Sequence, residues 1–158
     1  MCLDYTYSVN IIFGGITCMN LIQNVDRKEI TKMMLGYKFA LEEMNTKISI
    51  LLEDFRLIHE YSPIEHVSTR IKSPSSIMKK MEHKQLSWSM KEIEENIRDI
   101  AGARIICSFE EDIYRIANML CGQHDIKVID KKDYIKNPKE NGYRSLHLII
   151  KIPIFLTD

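Results

Sequence analysis

Apolar side chains recur at Ile30, Met34, Tyr37, Leu41, Met44, Ile48, Leu51, Phe55 and Ile58, in alternating steps of four and three. That spacing puts them on one side of a helix and predicts a single long helix with a narrow apolar stripe. Asp26 is placed to cap its N-terminus, with Glu29 in a capping-box-like arrangement, and Pro63 is expected to end it. The same stripe serves a coiled coil or a helix lying across its own domain. About four heptads is near the minimum for a coiled coil, so packing within the chain is favoured.

Past Pro63 the apolar spacing shortens. Glu65-His66-Val67-Ser68-Thr69-Arg70-Ile71-Lys72 alternates in part and predicts a short strand. Ser73-Pro74 then opens a helix running to about residue 84, because serine caps well and proline suits the first helical position. Another helix is expected over 89–98, a buried strand over 103–107, and a helix over 110–120 that closes near Gly122. Residues 126–135 predict a strand that runs into a loop. Asn137-Pro138-Lys139-Glu140-Asn141-Gly142 is rich in turn formers, and 146–154 is the last strand. Helices interleaved with strands make the class α+β (mixed α/β), with a small mixed sheet flanked by helices and a long N-terminal helix. No internal repeat or low-complexity tract is present.

Composition narrows this further. A chain of 158 residues suits one domain that buries roughly 70% of its unfolded surface. Lysine plus arginine and aspartate plus glutamate both number 22, so no net field draws the protein toward nucleic acid or an anionic membrane. Any anion site has to be assembled locally. Cys2, Cys18, Cys107 and Cys121 form neither a CxxC pair nor a cysteine–histidine cluster at zinc-like spacing, which fits a reducing cytoplasm. The apolar run from Ile11 to Ile16 follows Asp4, and no lysine or arginine precedes Arg27. A secretory signal wants a basic start and a longer apolar run, and this segment is too short to cross a bilayer. Residues 1–25 are therefore expected to be a poorly ordered extension, with Met19 as the native start and 26–158 as the folded domain.

Three constellations carry candidate chemistry. Arg70, Lys72, Ser73, Ser76, Lys79, Lys80, His83 and Lys84 set five fixed positive charges against Glu82 alone in a strand–turn–helix. Alternate cations on a strand, aimed at the free N–H groups of a helix start, make a phosphate cradle, whereas the same charges on a solvated helix face are ordinary. Asp99 stands at a helix–strand junction before Gly102 and Arg104. One carboxylate beside bound phosphates suits Mg²⁺, and one that caps a turn and pairs with Arg104 is the plainer alternative. The third is Asn141-Gly142-Tyr143-Arg144-Ser145-Leu146-His147, preceded by Lys139. Tyr143 is suited to stack on a base, Arg144 and Lys139 to hold phosphate, and His147 to donate to a ligand oxygen. In the simpler reading Tyr143 packs and His147 is a satisfied strand histidine.

The order of these motifs is more specific than any one alone. Arg70-Ile71-Lys72-Ser73-Pro74-Ser75-Ser76-Ile77, Asp99-Ile100-Ala101-Gly102-Ala103-Arg104-Ile105-Ile106-Cys107, Lys132-Asp133-Tyr134-Ile135 and Asn137-Pro138-Lys139 through His147 resemble the synthetase domain of the RelA/SpoT family, in particular the small alarmone synthetases. The resemblance runs from about Leu35 to Asp158 and implies a nucleotidyltransferase-like sheet flanked by helices. It implies a GTP diphosphokinase, in which the 3′-hydroxyl of GDP or GTP attacks the β-phosphorus of ATP, pyrophosphate is transferred and AMP leaves. Carried onto this sequence, Arg70, Lys72, Ser76, Lys80, His83, Lys84 and Arg104 hold ATP. Asp99 binds Mg²⁺ and acts with Arg104 at the reacting phosphates, Tyr143 stacks on guanine, and Lys139, Arg144 and His147 contact the acceptor nucleotide.

Two departures accompany the resemblance. Where many relatives have an arginine near the end of the basic helix, this chain has His83, which lacks the planar fork. Relatives also continue into a strand carrying a Glu-x-Gln signature and into C-terminal helices used for oligomerisation, and no Glu-x-Gln triplet occurs in this chain. The expectation is a domain incomplete at its C-terminal end, with weak or no turnover and doubtful homo-oligomerisation. The alternative is a non-catalytic nucleotide-binding module or one that oligomerises through the long helix. No membrane or DNA partner is expected, and RNA ranks last.

Overall fold

In the computed structural model, which describes residues 3–8 and 27–156, the apolar stripe forms α1, Arg27–Ile58. Its inward face is Met33, Tyr37, Ala40, Met44, Ile48 and Phe55, all buried. The face is turned slightly from the predicted one, and Ile58, counted in the stripe, is 70% exposed. The helix stops at Ile58 because the chain turns at Glu60, where φ is +50°, while Pro63 lies farther on, fully buried. The proline expected to end the helix instead lines the connection to the next strand. The Asp26 cap, the run from Ile11 to Ile16 and the proposed start at Met19 lie outside the described residues.

Leu3–Ser8 form a strand, β1, within the stretch expected to be an extension. After α1 come β2 (Ile64–Ile71), α2 (Pro74–His83), α3 (Met90–Asn96), β3 (Ala101–Cys107), α4 (Glu110–Cys121), β4 (Lys127–Asp133) and β5 (Leu146–Ile154). The α+β class holds. All paired strands are antiparallel, however, and they divide into a three-stranded sheet, β1-β5-β4, and a two-stranded one, β2-β3, rather than one mixed sheet. The cause is the path between β2 and β3. Helices α2 and α3 form an excursion that returns the chain to the end of β2, so Ile71 faces Ala101 and β3 runs back along β2.

Local chemistry explains several boundaries. Ser73 caps α2 with its Oγ accepting from the Ser76 N–H at 3.3 Å, and Ser89 caps α3 in the same way from Glu92 at 3.2 Å. The predicted 89–98 helix ends early, at Asn96, because Ile97 leaves helical backbone angles to be wholly buried. Phe109 gives α4 no side-chain cap, and Glu110, Glu111 and Asp112 in the first turn offset the exposed N–H dipoles. Gly122 closes α4 with ordinary right-handed angles. Its lack of a side chain matters through space, since a Cβ there would stand 3.0 Å from the Asn118 carbonyl oxygen.

α1 packs against β1, β2, β3 and β5, so the stripe is covered within the chain. Strand β3, expected to be buried throughout, alternates. Ala101 and Ala103 are buried, while Arg104 and Ile106 face solvent. Asp112 is the buried charged side chain among the described residues and accepts a hydrogen bond from the Tyr61 hydroxyl at 2.5 Å, tying α4 to the α1–β2 connection. Lys47 on α1 reaches Asp125 at 2.6 Å and Gln123 at 2.9 Å, anchoring the α4–β4 loop. Among the described residues, no helix is long and apolar enough to cross a membrane.

Candidate nucleotide site

The basic half of the site is built where β2, α2 and β3 meet. Arg70 lies opposite Gly102 and Arg104 opposite Ser68, so both arginines occupy the exposed face of the small sheet. Just past β2, the Lys72 N–H donates to the Ile100 carbonyl at 2.7 Å. This extends the ladder and lays Lys72 beside Asp99. Lys72 Nζ stands 2.6 Å from Asp99 Oδ2, and Lys80 Nζ, from the middle of α2, stands 2.7 Å from Asp99 Oδ1. Asp99 therefore pairs with two lysines, and no pairing with Arg104 is seen.

Burial pulls the Asp99 carboxyl upward, and the two lysines outweigh it, holding the group below the usual carboxylate range. The two lysine contacts differ. Lys72 makes a directed hydrogen bond, whereas Oδ1, buried from solvent, has the Lys80 charge beside it and no aligned donor. Below this trio a polar cleft of about 330 Å³ is lined by Lys80, Lys84, Glu95, Asn96, Arg98 and Asp99. Lys84 donates to the Asn96 carbonyl at 3.0 Å, His83 is exposed in the last turn of α2, and the Ser76 hydroxyl joins the Ser73 cap at 2.9 Å.

A divalent cation fits here only in company. Among the described residues no group of three His, Cys, Asp or Glu side chains converges to hold a metal. The buried Asp99 Oδ1 without a directed donor is a ready oxygen ligand. Magnesium is commonly held by one or two carboxylates together with substrate phosphates and water, which matches a lone aspartate in a lysine-rich pocket.

The aromatic half lies on β5 and the loop before it. Asp133 ends β4, and its Oδ1 accepts the N–H groups of Ile135 and Lys136 at 3.1 and 3.0 Å. The Tyr114 hydroxyl adds a third bond from α4, at 3.1 Å to Oδ2. This fixes Tyr134, whose own N–H donates to the Ser145 carbonyl at 2.9 Å. Gly142 adopts φ +78°, a left-handed angle that glycine tolerates, so the turn closes with its N–H on the Lys139 carbonyl at 2.8 Å.

Tyr143, His147 and Lys139 lie together beyond this turn. The Tyr143 hydroxyl and His147 Nε2 are 2.9 Å apart, and the rings meet edge to face at 5.7 Å between centroids. Tyr134, to which no role fell in the sequence, is the hub. Its ring lies 6.2 Å from Tyr143 and 5.1 Å from His147, and Lys139 Nζ sits 4.7 Å above it and 5.3 Å from the Tyr143 ring centre. Burial, with Lys139 and Lys132 adding repulsion, pushes the His147 pKa down, so its imidazole is neutral near pH 7. Arg144 pairs with Glu110 of α4 at 2.7 Å. Glu110 carried no local signal, because its partner is chosen by packing.

Cys107 and Cys121 are free thiols, and burial pushes Cys107 up to about 11 and raises Cys121 also, so neither is an activated nucleophile.

With this geometry in hand, comparison with known proteins is decisive. The model of the region found in RelA/SpoT proteins matches residues 69–155, which contain both halves of the site. The chain belongs to the RelA/SpoT family. Within it, the chain is 50% identical over 125 residues to GTP pyrophosphokinase YwaC of Bacillus subtilis, covering 79% of this chain and 60% of that one. It is 37% identical over 130 residues to GTP pyrophosphokinase YjbM of the same organism, covering 82% and 60%. The chain thus spans about 60% of the length of these curated relatives. The fold matches the crystal structure of small alarmone synthetase 2 from Bacillus subtilis with a TM-score of 0.70 and 45% identity, over 82% of this chain and 65% of that one. It also matches small alarmone synthetase 1 from that organism, bound to its product pppGpp, with a TM-score of 0.72 and 36% identity, over 82% and 66%.

Proposed function

We propose that this RelA/SpoT-family chain supplies the donor and acceptor nucleotide sites of a GTP diphosphokinase, which moves pyrophosphate from ATP to the 3′-hydroxyl of GDP or GTP. The observation that carries this reading is the convergence of Lys72 and Lys80 on Asp99, beside Arg70 and Arg104 on the adjoining sheet face, within the family-matched segment. Transfer of a phosphoryl-type group asks a protein chiefly to position the reactants and neutralise charge, and that cluster suits both tasks. In this reading Arg70, Lys72, Ser76, Lys80, His83, Lys84 and Arg104 form the ATP side. Tyr143 stacks on guanine, with Lys139, His147 and, once released from Glu110, Arg144 around the acceptor. Asp99 and the ATP phosphates would hold Mg²⁺, which neutralises charge on the transferred group. The setting in this reading is the cytoplasm.

The test is incubation of the purified chain with Mg²⁺, labelled ATP and GDP, alongside calorimetric titration of each nucleotide. Guanosine tetraphosphate that disappears in Asp99→Ala and Tyr143→Ala supports the proposal. A chain that binds neither ATP nor GDP overturns it.

A further inference from the structure

The Lys72–Asp99–Lys80 trio has a second meaning, one that extends the nucleotide reading and rests on it. The two lysines are paired with a carboxylate of their own chain, at 2.6 and 2.7 Å. Lys72 and Asp99 are 15% and 20% exposed and Lys80 is 34% exposed, so water screens the Lys72 pair less than the Lys80 pair. The trio carries one net positive charge, which repels a bare cation and attracts a polyanion.

We infer that Asp99 is an internal stand-in for phosphate: it pairs with Lys72 and Lys80 until incoming phosphates displace it, and only then is free to serve as a metal ligand. Three features support this. Asp99 comes from the β3 side while the lysines come from the end of β2 and from α2, so the lysines can follow an incoming phosphate without disturbing the sheet. Lys80 is the more exposed lysine, at 34% against 15% for Lys72, which makes its contact the more easily exchanged of the two. The polar cleft of about 330 Å³ opens onto Lys80 and Asp99, which gives an anion a route to the exchange. The carboxylate therefore changes role with occupancy. Without metal it competes with phosphate, and with metal it cooperates with it.

This predicts a sign reversal. In EDTA, Asp99→Asn removes the competitor and tightens binding of ATP and of inorganic tripolyphosphate by about tenfold, as expected for deleting one like charge beside a polyanion. In Mg²⁺ the same substitution removes a ligand, and its affinity for ATP falls below that of the native chain. Unchanged or weaker binding by Asp99→Asn in EDTA overturns the inference, because a carboxylate that merely held the lysines in place gives that result. If Asp99→Asn does not fold, as a melting curve reports, the native chain decides the matter. Saturating tripolyphosphate in EDTA must then shift both the Asp99 carboxylate ¹³C signal and the Lys72 and Lys80 ammonium ¹⁵N signals, and unmoved signals overturn the inference. The tripolyphosphate arm separates this from the functional reading. Tighter tripolyphosphate binding with no ATP binding sustains the stand-in and removes the ATP site, whereas ATP binding that Asp99→Asn fails to tighten removes the stand-in alone. Binding of neither probe removes both.

Discussion

The two halves of the candidate site are ordered by different forces. Around Asp99 the side chains are held by charge, with two ammonium groups on one carboxylate. Around Tyr143 they are held by ring contacts and one hydrogen bond, with Lys139 resting on aromatic faces rather than on an anion. Charge is undirected and exchangeable, so the basic half suits a ligand that arrives with phosphates. Edge-to-face rings set an angle, so the aromatic half suits a flat base that must be oriented. The charged and the aromatic cluster thus lie on two sheets that share no ladder among the described residues.

The sharpest test of that division is the double substitution Lys72→Met/Lys80→Met. Charge-assisted hydrogen bonds contribute about 1.5–3 kcal/mol each, so ATP affinity should drop by roughly a hundredfold or more, while GDP affinity measured by calorimetry stays within a few-fold. Equal losses for both nucleotides would erase the division. On the other side, Tyr143→Ala should weaken GDP binding by about 1–3 kcal/mol, the usual contribution of one stacked base, and leave ATP binding unchanged. An unaltered GDP affinity would remove the stacking role.

Acid should separate the halves without mutation. His147 has a folded pKa below its unfolded value, so the unfolded chain takes up the proton first, and stability falls as pH drops from about 6.5 toward the folded value. The Asp99 pKa is lowered as well, by its two lysines against the pull of burial, but from the carboxylate range. Its contribution is intact above roughly pH 4 and is lost only as pH falls through its lower folded value. Urea midpoints between pH 7.5 and 5.5 should therefore decline, and His147→Gln should flatten the decline while Asp99→Asn does not. The smallest effect is expected for Arg144→Ala. Its pair with Glu110 is about half exposed on both sides, and such pairs contribute about 0–1 kcal/mol, so thermal unfolding should barely shift. A large loss would show that Arg144 fastens α4 to the aromatic loop.

Much of the local structure was legible because its causes are local. Ser73-Pro74 announced α2, and the alternating steps of four and three announced α1. The last strand falls on 146–154 as expected, between a glycine turn and the chain beyond it. Errors occurred where a distant partner decided the outcome. Ile97 leaves its helix to reach the core, and Ile58 keeps the period of the stripe after the core beneath it has ended. Tyr134 was visible in a motif, yet nothing adjacent in sequence marked it as the ring that meets both Tyr143 and His147.

The sequence by itself determined which segments after residue 26 are helices and strands, which residues could carry charge to a phosphate or a ring to a base, and the family to which that order of motifs is similar. Each of these depends on spacing within a segment, where neighbours a few positions apart set the periodicity and the caps. Only the tertiary structure decided that Asp99 joins Lys72, 27 positions away, and Lys80 rather than Arg104, and that the strands split into two antiparallel sheets. An ion pair of that kind depends on the register of β2 against β3 and on where α2 lies over them, quantities fixed by packing of the whole core and encoded at no single place along the chain.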